Sequence, residues 1–278
     1  MDYKRILTIQ DISCFGQCSL TVALPILSAC GVETVIIPSA VLSTHTGGFT
    51  GFTFRDLTDD IPSIAAHWKK EGIDFDAIYT GYLGSVRQID MVRDIFNGLS
   101  RPNCIKIVDP AMADNGKLYY GFDEVYASAM AKLCADADIV VPNITEACFM
   151  TGVEYQENYD EAYVKEVLEA LENAGMKNVI LTGISYNEST TGVVVKTGDK
   201  VEYYSHRRLP VGSHGTGDVF ASAFSGALLR GKSEYNAAKV AANYTLRCIE
   251  NTVGDDNHKY GVKFETAIPY LLSELEAE

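Results

Sequence analysis

The sequence predicts an α/β fold, a mostly parallel sheet with helices on both faces, and three observations carry that expectation. Apolar or β-branched runs at 4–10, 33–38, 77–80, 104–108, 138–141 and 178–181 alternate with helical patterns near 19–31, 56–71, 86–99, 123–135 and 159–174. Several of these runs lead into a polar or glycine-containing turn, as strands do before a helix that crosses back over the sheet. The chain has 278 residues and is 47% apolar, enough to fill the core of one large α/β domain or two small ones.

The first run, Ile6-Leu7-Thr8-Ile9, follows directly on Met1-Asp2-Tyr3-Lys4-Arg5. It reads as a strand, because it lacks the longer apolar stretch and small-residue cleavage site of a secretion signal. No run of about 18 apolar residues occurs, so no transmembrane helix is expected. Residues 39–55 break the rhythm: alternating β formers surround Gly47-Gly48, which predicts a short hairpin projecting from the sheet as a lid over a site. Later, 192–197 and 200–206 flank Thr197-Gly198-Asp199 and read as a β-hairpin. Helices are expected near 216–231, 233–250 and 264–275. Without a repeat, a low-complexity tract or a Pro/Gly/Ser linker, the expectation is one domain, 1–278, with a β-hairpin lid near 39–55.

The net charge of −14 disfavours nucleic acid as a partner, since the basic clusters are as short as His206-Arg207-Arg208. An anionic nucleotide can still bind where helix N-termini or bound cations supply local positive potential. The seven cysteines, Cys14, Cys18, Cys30, Cys104, Cys134, Cys148 and Cys248, contain no CxxC pair. This points to free thiols in a reducing cytoplasm rather than a disulfide framework or a zinc site. A Cys14/Cys18 redox pair is the alternative for those two.

The segment richest in chemical meaning is Val211-Gly212-Ser213-His214-Gly215-Thr216-Gly217-Asp218-Val219-Phe220-Ala221-Ser222-Ala223-Phe224. A glycine-rich turn runs straight into an apolar, small-residue helix. The glycines allow positive φ and close approach to a ligand, and the helix start offers N–H groups and positive dipole to a phosphate. An acid beside an anion site is electrostatically unfavourable, so Asp218 calls for a purpose such as proton abstraction. A preference of acids for a first helical turn is the structural alternative. The chain has no GxxxxGK[ST] P-loop. It also lacks a GxGxxG after the first strand, where only Gly16 occurs, which argues against a dinucleotide-binding oxidoreductase.

The GTGD string resembles the late glycine-rich signature of the ribokinase superfamily, and further segments match its pyridoxal kinases in order. Ile9-Gln10 followed by Gly16 resembles their N-terminal vitamer-binding turn. Ser43-Thr44-His45-Thr46-Gly47 resembles their SNHTG lid segment, and Thr80-Gly81-Tyr82-Leu83-Gly84-Ser85 is similar to SGYLGS. Val108-Asp109-Pro110-Ala111-Met112 resembles the DPVM element, and Pro142-Asn143-Ile144-Thr145-Glu146 resembles PNxxE. The resemblance spans nearly the whole chain. It implies a ribokinase-like three-layer sandwich with a small β lid, and phosphorylation of the 5'-hydroxymethyl group of pyridoxal, pyridoxamine or pyridoxine by ATP.

The resemblance also assigns roles. Asp218 is the base, and the amides of Gly215, Thr216 and Gly217 form an anion hole. Gln10, Asp11, Ser43, His45, Thr46 and Tyr82 lie around the vitamer, with Tyr82 as an aromatic surface under its ring. Asp109, Asn143, Glu146, Thr182 and Gly183, with Gly215 and Gly217, lie on the ATP side. Asp109 and Glu146 reach Mg²⁺ through water, and a K⁺ and a homodimer are further implications. Plain structural roles stand beside these: Asn143 and Glu146 have capping-box spacing, Asp109-Pro110 makes a turn by itself, Thr182-Gly183 reads as a strand-ending turn, and Tyr82 as a core residue. One departure bears on the substrate, because Asp11 stands where pyridoxal kinases usually carry serine and can favour an amine or a pyridinium proton. Thr44 stands where their lid often carries asparagine. The rivals are a hydroxymethylpyrimidine kinase of the same superfamily and a nucleotide-binding regulator without catalysis.

Overall fold

The computed structural model describes residues 3–209 and 214–277. Val211, Gly212 and Ser213, at the head of the glycine-rich stretch, lie outside the described residues. In chain order the elements begin β1 (Arg5–Ser13), α1 (Leu20–Ala29), β2 (Glu33–Leu42), β3 (Phe54–Asp56), α2 (Ile61–Lys70), β4 (Phe75–Thr80), α3 (Val86–Gly98) and β5 (Ser100–Val108). A small hairpin, β6 (Ala113–Asp114) and β7 (Lys117–Leu118), precedes α4 (Glu124–Ala135), β8 (Ile139–Val140), α5 (Ile144–Thr151) and α6 (Glu161–Asn173). Then come β9 (Asn178–Ile184), β10 (Thr190–Thr197), β11 (Lys200–Arg207), α7 (Thr216–Leu229), α8 (Glu234–Thr252), a 3₁₀ turn at Phe264–Ala267 and α9 (Ile268–Glu276).

The main sheet runs β11-β10-β9-β8-β5-β4-β1-β2-β3. From β2 to β9 every pairing is parallel, and the antiparallel strands sit at the two ends. Strand β1 shows why its apolar residues do not alternate with polar ones. Leu7 and Ile9 enter the core shared with α2 to α6, while Ile6 enters the opposite core with α1, α7, α8 and α9. Both faces are dry, giving helix, sheet and helix layers. After β2 and β3 the chain crosses to the other side of β1 to lay down β4. The order of strand addition therefore reverses at β1, and the carboxyl ends of strands at such a point form a ligand crevice.

Several boundaries differ from expectation, each for a local reason. Residues 39–42 do not leave the sheet: β2 continues through buried Ala40 and Leu42, and only Phe54–Asp56 returns as the exposed strand β3. The helix expected from 56 starts at Ile61, because Asp56 Oδ1 accepts from the Thr58 amide at 2.8 Å and holds a turn there. Thr182-Gly183 does not end its strand. Gly183 has φ 71° and is skipped in the pairing with β10, a bulge within β9. A hairpin not expected from the sequence, β6–β7, turns at Asn115-Gly116, whose φ values of 50° and 73° are those the turn needs. The hairpin expected at 197–199 is present, with Thr197 paired to Lys200.

Candidate active site

Because β1, β4, β5, β8 and β9 are parallel, the residues after each arrive at one edge of the sheet. Main-chain hydrogen bonds hold these turns side by side: the Gly81 amide donates to Ile9 O, Asp109 to Thr80 O, Val141 to Val108 O and Thr182 to Pro142 O. Gln10, Asp11, Tyr82, Asp109, Asn143, Glu146 and Thr182 are thereby gathered along the crevice, and α7 points its N-terminus at the same edge.

Gly215 caps α7 at φ 75°, and a Cβ at that position would lie 1.8 Å from the carbonyl oxygen of Gln17. Only glycine permits this approach. The cap residue is a glycine and brings no side chain of its own, and the helix dipole makes this end of α7 positive. Asp218 occupies that first turn and is half-buried. Loss of water pushes its pKa up to about 7; the Ser19 main chain beside it opposes the shift, and the nearby charge of Asp11 adds to it. A carboxylate with that pKa is matched to proton acceptance near neutrality.

Asp109 and Glu146 are both buried behind this helix start. Glu146 accepts the Met112 amide on Oε1 at 3.0 Å and the Asn143 amide on Oε2 at 2.9 Å. Asn143 accepts the Glu146 amide on Oδ1 at 2.9 Å and donates from Nδ2 to Ala113 O at 2.8 Å. The capping box foreseen in the sequence is thus complete, and it ties α5 to the β6–β7 hairpin. Asp109 Oδ1 accepts the Ala111 amide at 3.1 Å, in a turn where Ala111 has φ 30°. Desolvation first, then repulsion from Glu146 and Asp218, holds the Asp109 carboxyl well above the usual range; desolvation also raises Glu146. Two such acids call for a cation. Among the described residues no group of three or more His, Cys, Asp or Glu could hold a metal by itself.

On the other side of Asp218, Gln10 is fully buried and donates from Nε2 to Thr8 Oγ1 at 2.8 Å. Its Oε1 packs so closely on Gly81 that a Cβ there would lie 2.7 Å away. Gln10 therefore floors the crevice. At Asp11 the pairing of β1 with β2 slips, and the carboxylate accepts from Ser13 Oγ at 3.0 Å with Ser19 beside it. Tyr82 is half-buried against Phe122, with ring centroids 5.4 Å apart, and Phe122 stacks on Tyr126 at 3.8 Å. Its hydroxyl is pushed up to about 12 by burial, then by the charge of Asp11.

His45 is buried rather than exposed as loop histidines commonly are. Nε2 lies 2.9 Å from Tyr260 O and therefore carries the proton, leaving Nδ1 to accept the Gly47 amide at 3.1 Å. Burial is the main reason its pKa lies below the ordinary value. Gly16, at φ 114°, lies against this ring so tightly that a Cβ would meet Cδ2 at 2.1 Å. His45 latches residues 43–47 to the 258–261 segment, and with both nitrogens engaged it presents ring carbons to its surroundings. Ser43 Oγ accepts the Thr53 amide at 2.8 Å, and Thr46 is exposed. Thr182 Oγ1 donates to Pro142 O at 3.3 Å, and Gly183 is exposed at its bulge.

Two residues here escaped the sequence reading. Ser19 caps α1 with φ 53° and contacts both Asp11 and Asp218. A serine just before an apolar helical run was a visible cap signal, but its long-range partners were not. Tyr119 lies near Glu146, Asp114, Asp109 and Asp218, and nothing in its local sequence announces that place.

The model of the phosphomethylpyrimidine kinase family matches residues 24–263. A crystal structure from Bacteroides thetaiotaomicron, of a candidate phosphomethylpyrimidine kinase with pyridoxal, superposes with a TM-score of 0.91 at 37% identity, covering 97% of this chain and 96% of that one. Pyridoxal kinase from Lactobacillus plantarum superposes with a TM-score of 0.89 at 30% identity, with 97% of each chain covered. The pyridoxal kinase of Dictyostelium discoideum is 27% identical over 253 residues, 81% of this chain and 78% of that protein.

Proposed function

The chain belongs to the phosphomethylpyrimidine kinase family, and on that premise we propose that it is a pyridoxal kinase, transferring the terminal phosphoryl group of ATP to the 5'-hydroxymethyl group of pyridoxal, pyridoxamine or pyridoxine. The observation that carries the reading is Asp218, a carboxyl with its pKa pushed up to about 7 in the first turn of a glycine-capped helix facing the crevice. One eukaryotic and one bacterial relative are named for this activity, and a second bacterial relative was crystallised with pyridoxal.

The vitamer lies between Tyr82 and the loop latched by His45, above Gln10, with its hydroxyl at Asp218. As the alcohol oxygen bonds to the γ-phosphorus, its proton passes to Asp218, the bond to the β,γ-bridging oxygen breaks, and ADP leaves with that electron pair. An alcohol is too weak an acid to ionise first, so the proton moves as the new bond forms. Such base assistance contributes roughly 10²–10⁴-fold. The amides of Gly215, Thr216 and Gly217 receive the charge on the transferring group. Asp109 would hold Mg²⁺, and Glu146, with both oxygens on main-chain donors, would reach it through water. When bound, the ion neutralises charge on the phosphates. Ser43, Thr46, Thr182 and Gly183 line the rim, where they contact the closing loop or the nucleotide.

Initial rates with MgATP and each of pyridoxal, pyridoxamine, pyridoxine and hydroxymethylpyrimidine test the reading. Phosphorylated vitamer should form in step with ADP. Turnover confined to hydroxymethylpyrimidine would replace the substrate, and absence of turnover on every alcohol would leave a nucleotide-binding protein. Light scattering reads the homodimer implied by the resemblance.

A further inference from the structure

Asp11 is a buried carboxylate in the substrate half of the crevice, and among the described residues no cation is paired with it. It is 5% exposed. Ser13 Oγ donates to it at 3.0 Å, and Ser19 and the main chain at Asp11 lie beside it as neutral groups. The aromatic face beside it is Tyr82. Among the described residues, no lysine or arginine forms an ion pair with it. The nearby base is His45, whose ring is held as the neutral Nε2–H tautomer by Tyr260 O and the Gly47 amide. Its other charged neighbour is Asp218, of the same sign. A carboxylate withdrawn from water without a counter-charge is costly, and hydroxyl donors offset only part of that cost.

A substrate can supply the missing charge. We propose that Asp11 is a specificity-determining residue that favours the vitamer with a cationic aminomethyl group, pyridoxamine, over the aldehyde pyridoxal and the alcohol pyridoxine. The proposal rests on the pyridoxal kinase reading above. The aminomethyl group carries a full positive charge at neutral pH, whereas the aldehyde and alcohol at the same ring position carry none. The ring nitrogen is common to all three vitamers, so pairing with it cannot separate them. The slip in register at Asp11 supports a directed placement, because a bulge re-aims the side chain of the strand that carries it. The same cation would also lie between the two acids and screen the charge that Asp11 imposes on Asp218.

The test is kcat/KM for the three vitamers, at saturating MgATP, in the wild type, Asp11→Asn and Asp11→Ser. A charge-assisted contact of this kind predicts that the pyridoxamine-to-pyridoxine ratio falls at least about tenfold in both variants, chiefly through KM for pyridoxamine. Equal losses on all three vitamers would overturn the proposal and make Asp11 a support for Ser19 or a partner of the ring nitrogen. Turnover of pyridoxine by the variants reports that they are folded; if Asp11→Asn does not fold, the serine variant decides. Failure of the underlying reading looks different, since the wild type itself would then phosphorylate none of the three.

Discussion

The main chain of Ser19 lies beside the carboxylate of Asp218, bringing the turn after the first strand against the first turn of α7 across roughly 200 residues of sequence. Ser19 holds φ 53° to do so, a conformation that costs a non-glycine residue about 1–2 kcal/mol. Its influence lowers the proton affinity of Asp218, but burial outweighs it. Substituting Asp218→Asn keeps the shape and removes the proton acceptor. Turnover should fall by about 10²–10⁴-fold while ATP still binds, as read by isothermal titration beside steady-state rates. Near-normal turnover would remove Asp218 from the role of base.

The pH dependence follows with a definite sign. Asp218 must be ionised to accept a proton, so wild-type kcat/KM should decline as pH falls through about 7. Stability runs the other way. In the unfolded chain the carboxyl ionises near the ordinary value of 3.8, but in the folded protein only near 7. The folded state therefore binds the extra proton between these values, and the group's contribution is lost as pH rises through that window. Asp218→Asn has no such loss. Its melting temperature relative to the wild type should rise between pH 5 and pH 8, and an unchanged or falling difference would contradict burial of the charge.

Gly215→Ala tests the close approach at the helix cap. The new methyl would meet the Gln17 carbonyl at 1.8 Å, and φ 75° is itself unfavourable for alanine. Relief requires the Gln17 loop or the start of α7 to move, carrying the anion-hole amides with it. A misplacement of about 1 Å costs on the order of 10²-fold in rate. Circular dichroism should remain near wild type while kcat falls. A variant with full activity would show that the loop yields without disturbing the amides.

Much of this was legible in the sequence because it rests on local signals. The strand runs followed by turns fixed the parallel sheet, and Asn143 with Glu146 three residues on announced a capping box that the structure completes. Other features depend on contacts that spacing does not encode. His45 reads locally as a loop residue, and only the approach of Tyr260, 215 positions later, buries it. Gly183 reads as the end of a strand, and its bulge appears only once β10 pairs across it. Ser19 reads as a cap for α1, yet it makes no side-chain cap bond, and its partners are Asp11 and Asp218. Asn115-Gly116 was a hairpin signal in full view, obscured because the strands it joins have two residues each.

His45→Ala should act on the vitamer rather than on the nucleotide. The imidazole ties Gly47 to Tyr260 and fills the space above Gly16, all on the Asp11 side of Asp218. Its loss frees the 43–47 loop and admits water, so KM for the vitamer should rise or kcat fall while the Kd for ATP stays within about threefold, given that the Asp109 and Glu146 turns are untouched. A selective loss of ATP binding would contradict the placement of this loop.

Asn143→Ala separates the frame of the nucleotide side from its chemistry. Asn143 spends its side chain on Glu146 N and Ala113 O, so the substitution removes a helix cap and a tie to the β6–β7 hairpin. Loss of the cap alone costs about 0.5–2 kcal/mol. Glu146 keeps its two main-chain donors, Met112 and the amide of residue 143, but its own amide loses an acceptor and the Ala113 carbonyl of the hairpin loses a donor. The expected result is a lower denaturation midpoint together with a rise in the Mg²⁺ concentration needed for half-maximal rate, since the turn that places the carboxyl proposed to reach the ion through water is less firmly tied. Glu146→Gln keeps the size of the side chain but removes its charge, so its Mg²⁺ requirement should rise more than that of Asn143→Ala while its stability falls less. If both variants lose stability alone, with the Mg²⁺ requirement unmoved, Glu146 is a structural cap and Asp109 meets the ion without it.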